Sequence, residues 1–482
     1  MNIRSVFHLI AYVVIFMAVA IASAALVGLG CGDAGVDVRN MFASAGIVLA
    51  LGVLMLVPTR GKVDLTRKDG FAIVTFGWLV IGFVGAIPYL MTGTIPNPVD
   101  AVFETLSGFT TTGSTVVTDI EILPRGVVFW RSLTQWLGGM GVVLLCVAIL
   151  PFLGVGGMQI YRAEMPGPSK DRLTPRIANT AKLLYGVYVL LTGLQIVALR
   201  IAGMDLFDAV NHSFCTLSSG GFSPYNASIA HFPSPAIHLI LAFFMIVAGA
   251  NFTLHYRFLR GEMQAYHRSS EMRVYLMIIL ICTGIIAWNL CSQRGLALGQ
   301  SLVDSLFQVS TIITTTGFAT ADYDQWPLLS KTILFALLFS GACAGSTSGG
   351  LKIVRVVVVV KECLRQLKLF MQPHAVLKVR MGPQTVPATV VSAILGFFLF
   401  YLLLFLLFTL AMTFYLPDLQ SASSAVIACM SNVGPGFNLV GPTRNFAAIG
   451  DGGIVLLTFC MLLGRLELFT VLVLFSPRFW RK

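Results

Sequence analysis

Apolar residues run along this chain in long blocks, and polar residues collect between them. Blocks of about 20 residues, enough to cross the hydrocarbon layer as a helix, fall near 5–29, 41–57, 71–91, 127–150, 180–201, 236–256, 273–291, 328–360, 387–415 and 447–475. The pattern predicts ten spans, some long enough to be tilted or broken. The blocks lack the period-two alternation of an outer-membrane barrel. In the first block, Ala22-Ser23-Ala24 has the form of a cleavage site. The apolar run reaches Leu29, longer than a signal h-region, so a retained first transmembrane helix is expected.

The segments between the blocks alternate in character. One set carries Arg60, Lys62, Arg67 and Lys68; Arg162, Lys170, Arg172, Arg176 and Lys182; Arg257, Arg260, Arg268 and Arg273; Lys352, Arg355, Lys361, Arg365, Lys368, Lys378 and Arg380; and the tail Arg478, Arg481 and Lys482. With alternating spans these segments and Arg4 all fall on one side. The positive-inside rule makes that side cytoplasmic, with both termini inside. The opposite connections are longer and rich in Thr, Ser, Gly and Pro.

Composition agrees. Of 482 residues 56% are hydrophobic and 11% charged, against about 25% charged in an ordinary soluble domain. That excludes a cytosolic enzyme, a disordered chain and a fibrous one. The net charge of +11 would suggest nucleic acid in a soluble protein; here it follows topology, and no nucleic-acid partner is expected. The nine cysteines lie mostly inside apolar blocks without CxxC pairs, so they read as small core residues.

The outer connections hold a fourfold repeat. Asp100, Asp208, Asp304 and Ser421 are each followed 13 residues later by a glycine: Gly113, Gly221, Gly317 and Gly434. Each copy lies between two apolar blocks. Asp or Ser is expected to cap a short helix of about ten residues, and the Thr, Ser and Gly after it leave the backbone extended. Non-helical backbone at membrane depth is tolerated where it lines a water-filled path. Four short helices entering from outside would aim their partially negative C-terminal ends at one centre, which favours a cation.

The expected ion-binding residues are Thr111, Thr112 and Gly113; Ser219, Gly220 and Gly221; Thr315, Thr316 and Gly317; and Asn432, Val433 and Gly434. Their main-chain carbonyls can replace the hydration shell of a bare potassium ion, and the glycines are expected to take angles a β-carbon would resist. In the fourth copy Asn432 and Val433 cannot offer a Thr hydroxyl. Only one glycine is shared by all four copies, which predicts potassium preference with weaker discrimination against Na⁺ or Rb⁺.

These residues resemble a known family. Four span–pore-loop–span units carrying TTTGST, SSGGFS, TTTGFAT and SNVGPGFN are similar to the Trk/Ktr/HKT superfamily of potassium transporters. The two additional N-terminal helices, the segment GACAGSTSGG and Gly464-Arg465-Leu466-Glu467 narrow the resemblance to the bacterial TrkH/TrkG type, over essentially the whole chain. It implies a homodimeric inner-membrane potassium uptake protein, surrounded by lipid, with a cytoplasmic ring of TrkA-type nucleotide-binding regulatory subunits. The chain has neither GxGxxG nor GxxxxGK[ST], so a nucleotide site belongs to such a partner; no cofactor is expected on this chain, and K⁺ is the transported ion. The fold class is an all-α polytopic membrane protein with two extra helices in 1–70 and pore repeats in 71–160, 161–262, 263–383 and 384–482.

Residues 341–350 are small and interrupt the eighth span; Gly341, Gly345, Gly349 and Gly350 argue for a broken helix and a mobile loop below the filter. A close small-xxx-small helix crossing is the alternative, and the resemblance favours an intramembrane gate. Arg465 lies inside the last span, where a charge is costly, and is expected to face the pore; an ion pair with Glu467 is the alternative. Glu104 and Arg131 read as local structural charges, and His212 as a packed or hydrogen-bonding residue. Gly30-Cys31-Gly32-Asp33 matches a GxGD protease pattern, but no second Asp lies within a span to complete a dyad, and no enzyme is expected. An alternating-access symporter coupling K⁺ to H⁺ or Na⁺ is the main rival; such carriers use inverted repeats, whereas these four copies share one orientation.

Overall fold

The computed structural model describes residues 2–59, 67–148, 173–382 and 384–480. The expected cations Arg60, Lys62, Arg162, Lys170, Arg172, Arg481 and Lys482, the end of the fourth span and the boundary at 160–161 lie outside the described residues. Among the described residues six helices are long and apolar enough to cross a membrane: Ile3–Cys31, Gly35–Thr59, Lys68–Thr92, Ala181–Ile201, Ser270–Arg294 and Ala388–Met412. Two sharply bent pairs raise the number to eight, Pro235–Ala248 with Phe252–Leu259 at 98° and Asp451–Arg465 with Phe469–Phe475 at 108°. A further long helix, Arg125–Ala148, packs between the first helix and the second-repeat helices. The eighth apolar block divides into Leu328–Leu337 and Ile353–Met371. A two-rung antiparallel hairpin pairs Arg380 with Thr385 and Met381 with Gln384.

The breaks have local causes. At Gly249 a β-carbon would collide with the Tyr275 hydroxyl and crowd Thr314 and Ala342, and Asn251 then starts a new helix by accepting the Thr253 N–H at 2.8 Å. At the end of Asp451–Arg465 the chain turns through Glu467 and Leu468, both at positive φ (56° and 46°). The first helix packs on the second and against those beginning at Arg67 and Arg125. Asp33, of the protease-like pattern, accepts the N–H groups of Arg125 at 2.9 Å and Gly126 at 2.7 Å, which gives this carboxylate a helix-capping role.

Four short helices, Pro98–Phe109, Leu206–Leu217, Leu298–Ile313 and Leu419–Ser431, precede the four repeated glycines. They have 12, 12, 16 and 13 residues, longer than expected, because they start earlier than the Asp-to-Gly spacing suggests. The caps are Asn97, Asp205 and Asp418, whose side chains accept the N–H groups of Val99, Phe207 and Ser421. Asp100, Asp208 and Ser421 sit in the first turn, where an acidic group is also favoured by the helix dipole. Asp304 lies within the third helix, which begins after Ala297 without a side-chain cap. The spacing therefore marks the first turn of three helices, and the caps lie three residues upstream.

Candidate functional site

Each short helix ends in the same turn. The N–H groups of Thr112, Gly220, Thr316 and Val433 reach back five residues to the carbonyls of Ser107, Cys215, Thr311 and Ala428, all at 2.8 Å. The residue before each donor is left-handed: Thr111, Ser219, Thr315 and Asn432 have φ of 52°, 58°, 58° and 56°. Glycine or Asn ordinarily ends a helix in this way. A β-branched residue there is an outlier, with strain of order 1–3 kcal/mol for each such position. Four neighbouring positions hold the same left-handed geometry, two of them at β-branched Thr111 and Thr315, which points to a backbone shape the surrounding fold imposes.

Two residues on, Gly113, Gly221, Gly317 and Gly434 also take positive φ, from 79° to 99°. Here the requirement is for space as well as angle. A β-carbon on Gly113 would strike the Gly220 carbonyl oxygen; one on Gly221, the Thr316 oxygen; one on Gly317, the Val433 oxygen; and one on Gly434, the Thr112 oxygen. All four approaches fall below 3.0 Å, a distance real β-carbons essentially never show. The relations close on themselves, first to second, second to third, third to fourth and fourth to first. The twelve expected residues are thus brought into one ring of four strands that touch backbone to backbone.

Side chains lock the ring. The Ser114 hydroxyl donates to the Gly434 carbonyl at 3.0 Å, and Asn432 Nδ2 donates to Thr112 Oγ1 at 2.9 Å and to the Met461 carbonyl at 3.1 Å. Asn432 therefore bonds the first strand through its amide in place of a hydroxyl. Thr110 pairs with Thr112 at 2.7 Å and Thr314 with Thr316 at 2.8 Å. Gln135 holds the second strand, donating to the Gly220 carbonyl at 2.7 Å and accepting the Phe222 N–H at 3.0 Å. Beyond the glycines one cavity is walled by all four of them, by Ser114 and Ser223, and by Arg131 and Arg444.

The segment 341–350 lies against the other end of the second, third and fourth turns. Gly349 donates its N–H to Thr315 Oγ1 at 2.8 Å, and the Thr347 hydroxyl lies 2.8 Å from that of Ser219. A β-carbon on Gly349 would collide with the Ser431 carbonyl and press on Asn432. The segment folds back on itself, so Gly341 and Gly350 touch backbone to backbone; both are left-handed, as is Gly345 (φ 62°, 67° and 74°). It also pairs with the bend in the sixth span, with Cys343 N–H donating to the Gly249 carbonyl and Phe252 N–H to the Gly345 carbonyl. This is a folded loop with no helical crossing through it, and Ser346, Thr347 and Ser348 are buried within it.

Arg465 is 4% exposed and is anchored on carbonyls, donating Nη1 to Thr347 at 2.8 Å and Nη2 to Gly138 at 3.3 Å. The alternative Arg465–Glu467 pair is replaced by another: Glu467 accepts from Arg355 at 2.6 Å, and the turn at 467–468 separates it from Arg465. Glu271 accepts the N–H groups of Ala344 at 2.8 Å and Val354 at 3.2 Å, tying the middle of the loop to the first turn of the helix that follows it. Thr347, Gln135, Gly138 and Glu271 escaped the sequence reading. Only the Gly138-Gly139 pair inside an apolar block carried a signal, and it marks close approach: a β-carbon on Gly138 would strike the Phe109 carbonyl.

Comparison with known proteins agrees with the overall fold. A family model described as TrkH, cation transport protein, matches residues 38–482. The Trk system potassium uptake protein TrkH of Escherichia coli strain K12 is 41% identical over 447 residues, covering 90% of this chain and 91% of the relative. TrkH of Vibrio parahaemolyticus is 40% identical over 490 residues, covering 100% of both chains. The crystal structure of the potassium transporter TrkH from Vibrio parahaemolyticus superposes with a TM-score of 0.91 at 37% identity, again over 100% of both chains. This chain belongs to the TrkH family of cation transport proteins.

Proposed function

We propose that the chain carries potassium into the bacterial cell across the inner membrane, through a filter built from Thr111–Gly113, Ser219–Gly221, Thr315–Gly317 and Asn432–Gly434. The observation that carries this reading is the closed circuit of glycine-to-carbonyl contacts among the four strands. It gathers backbone carbonyls around one axis at the C-terminal ends of four helices, where partial negative charge favours a bare cation. On this reading two N-terminal helices, 1–70, precede four repeats, 71–160, 161–262, 263–383 and 384–482, with ten spans and both termini cytoplasmic. Gly341–Gly350 is the intramembrane gate and Arg465 a positive barrier beneath the filter. Potassium uptake by the relatives supports the choice of ion. A homodimer controlled by a cytoplasmic TrkA-type nucleotide-binding subunit is part of the proposal.

The test is rescue of growth at low potassium in cells stripped of their own uptake systems, with a matching regulatory subunit supplied. Rescue is expected. Failure despite confirmed membrane insertion overturns the reading. Flux into proteoliposomes with no proton or sodium gradient should proceed down the potassium gradient alone; a strict need for either gradient would replace the pore by a coupled carrier.

A further inference from the structure

Nine residues before each repeated glycine stands a different residue: Glu104, His212, Gln308 and Ala425. In three repeats this side chain reaches across to its own strand just past the glycine. Glu104 accepts from the Thr115 hydroxyl at 2.9 Å and the Val116 N–H at 3.0 Å. His212 Nε2 lies 3.2 Å from Ser223 Oγ, and Gln308 donates to Thr320 Oγ1 at 3.3 Å. In the fourth repeat the neighbouring Ser424 takes over, accepting the Phe437 N–H at 3.0 Å. Each short helix therefore braces its own strand, and only the first brace is charged.

That charge is answered by Arg131, from the helix Arg125–Ala148. Its Nε donates to Glu104 Oε1 at 2.9 Å, and its Nη2 lies 2.8 Å from the same oxygen, with the two side chains 1% and 0% exposed. The guanidinium reaches further. Nη2 donates to Thr115 Oγ1 at 3.2 Å, Nη1 makes a long bond of 3.4 Å to the Ser223 carbonyl, and the group sits 4.2 Å from the centre of the Phe222 ring. One helical turn later Gln135 clamps the same second strand at Gly220 and Phe222. Arg131 therefore ties the first strand to the second at the mouth of the ring, where it also walls the outer cavity.

We propose that Glu104 and Arg131 are positioning residues for ion selectivity: the buried pair fixes the spacing of the first two filter strands at the outer mouth. The planar five-donor guanidinium can hold Glu104, Thr115 and Ser223 together, whereas a Lys ammonium is a point charge on a flexible stem and cannot span all three. With the spacing released, the ring can relax around a smaller ion, and preference for potassium over sodium falls. The third and fourth strands, braced by neutral side chains, lack this cross-strand tie through a buried charge pair among the described residues. The proposal rests on the filter reading above.

The experiment compares potassium and sodium flux in proteoliposomes for the wild-type chain, Arg131→Lys, Glu104→Gln and Thr115→Val, each purified as a monodisperse protein. About tenfold loss of potassium-over-sodium preference, with potassium flux retained, is expected in Arg131→Lys and Glu104→Gln. A smaller loss is expected in Thr115→Val, which removes one hydroxyl from the brace and leaves the ion pair. Wild-type preference in a folded Arg131→Lys or Glu104→Gln protein overturns the proposal. If both fail to fold, unchanged preference in Thr115→Val overturns it, and a reduced preference supports it. A wild-type chain with no potassium preference defeats the filter reading itself; a selective wild-type chain with equally selective variants defeats only the brace.

Discussion

The backbone N–H of Gly349 donates to the hydroxyl of Thr315 at 2.8 Å, joining the interrupted eighth span to a strained residue of the third strand. Through the Thr347 hydroxyl the same loop also meets Ser219 of the second strand. Gate and filter, on the proposed function, therefore share hydrogen bonds, and opening the loop must release bonds made by the strands themselves.

Thr315→Val keeps the β-branched shape and removes the acceptor for Gly349. A hydrogen bond of this kind contributes about 1 kcal/mol, which shifts a two-state loop equilibrium roughly fivefold. Basal potassium flux per inserted molecule should rise severalfold, with a smaller response to the regulatory subunit. Flux and regulation both equal to wild type would separate the loop from the gate.

Gly→Ser at Gly113, Gly221, Gly317 or Gly434 forces a β-carbon against a neighbouring carbonyl and an L-residue into positive φ. The carbonyl must retreat, and potassium-over-sodium preference should fall in each variant. The effect should be largest at Gly221 and Gly317, where the collision is closest. Wild-type selectivity in all four variants, measured by competing-ion uptake, would move the filter elsewhere.

Arg465 combines a charge with two carbonyl anchors, at Thr347 and Gly138. Two unit charges about 4 Å apart interact by about 4 kcal/mol at an effective dielectric of 20. On the proposed function Arg465→Ala removes both barrier and anchor and should increase potassium flux. Arg465→Lys keeps the charge but cannot hold both carbonyls, so its flux should fall between wild type and Arg465→Ala. A folded Arg465→Ala protein with unchanged or reduced flux, normalised to inserted protein, would sink the barrier.

Glu467→Gln leaves the guanidinium of Arg355 without its carboxylate. The pair is 6% and 21% exposed, so the loss should be about 1–2 kcal/mol, below the ~3–5 kcal/mol of a fully buried pair. Thermal unfolding in detergent should show a lower midpoint. Arg355→Met combined with Glu467→Gln should recover part of it, because no buried charge is then left unpaired. Strictly additive losses in the double variant would show that the two residues do not interact.

Much of the architecture was legible in the sequence because the membrane enforces it. Backbone in lipid must satisfy its own hydrogen bonds, so spans are written as apolar blocks and departures from helix as clusters of small and polar residues. Gly113, Gly221, Gly317 and Gly434 stand at a fixed offset because their turns need both positive φ and the missing β-carbon. Asp100 and Asp208 were legible as helix starts but misplaced the caps, since first-turn and capping positions favour the same side chains, whereas Asp304 lies inside its helix.

What the sequence by itself determined is the set of local requirements: where the chain is apolar enough to cross, where it must break, and where a repeated glycine is needed. What only the tertiary structure decided is who meets whom. Gly434 abuts Thr112 across more than three hundred residues, Arg465 rests on Thr347 and Gly138 instead of pairing with Glu467, and Glu104 finds Arg131 on the next long helix. The left-handed turns at Thr111 and Thr315 belong to the same class, since no local preference of a β-branched residue favours them. They exist because packing of four helices around one centre supplies more free energy than the strained turns cost, and that balance depends on contacts no single segment contains.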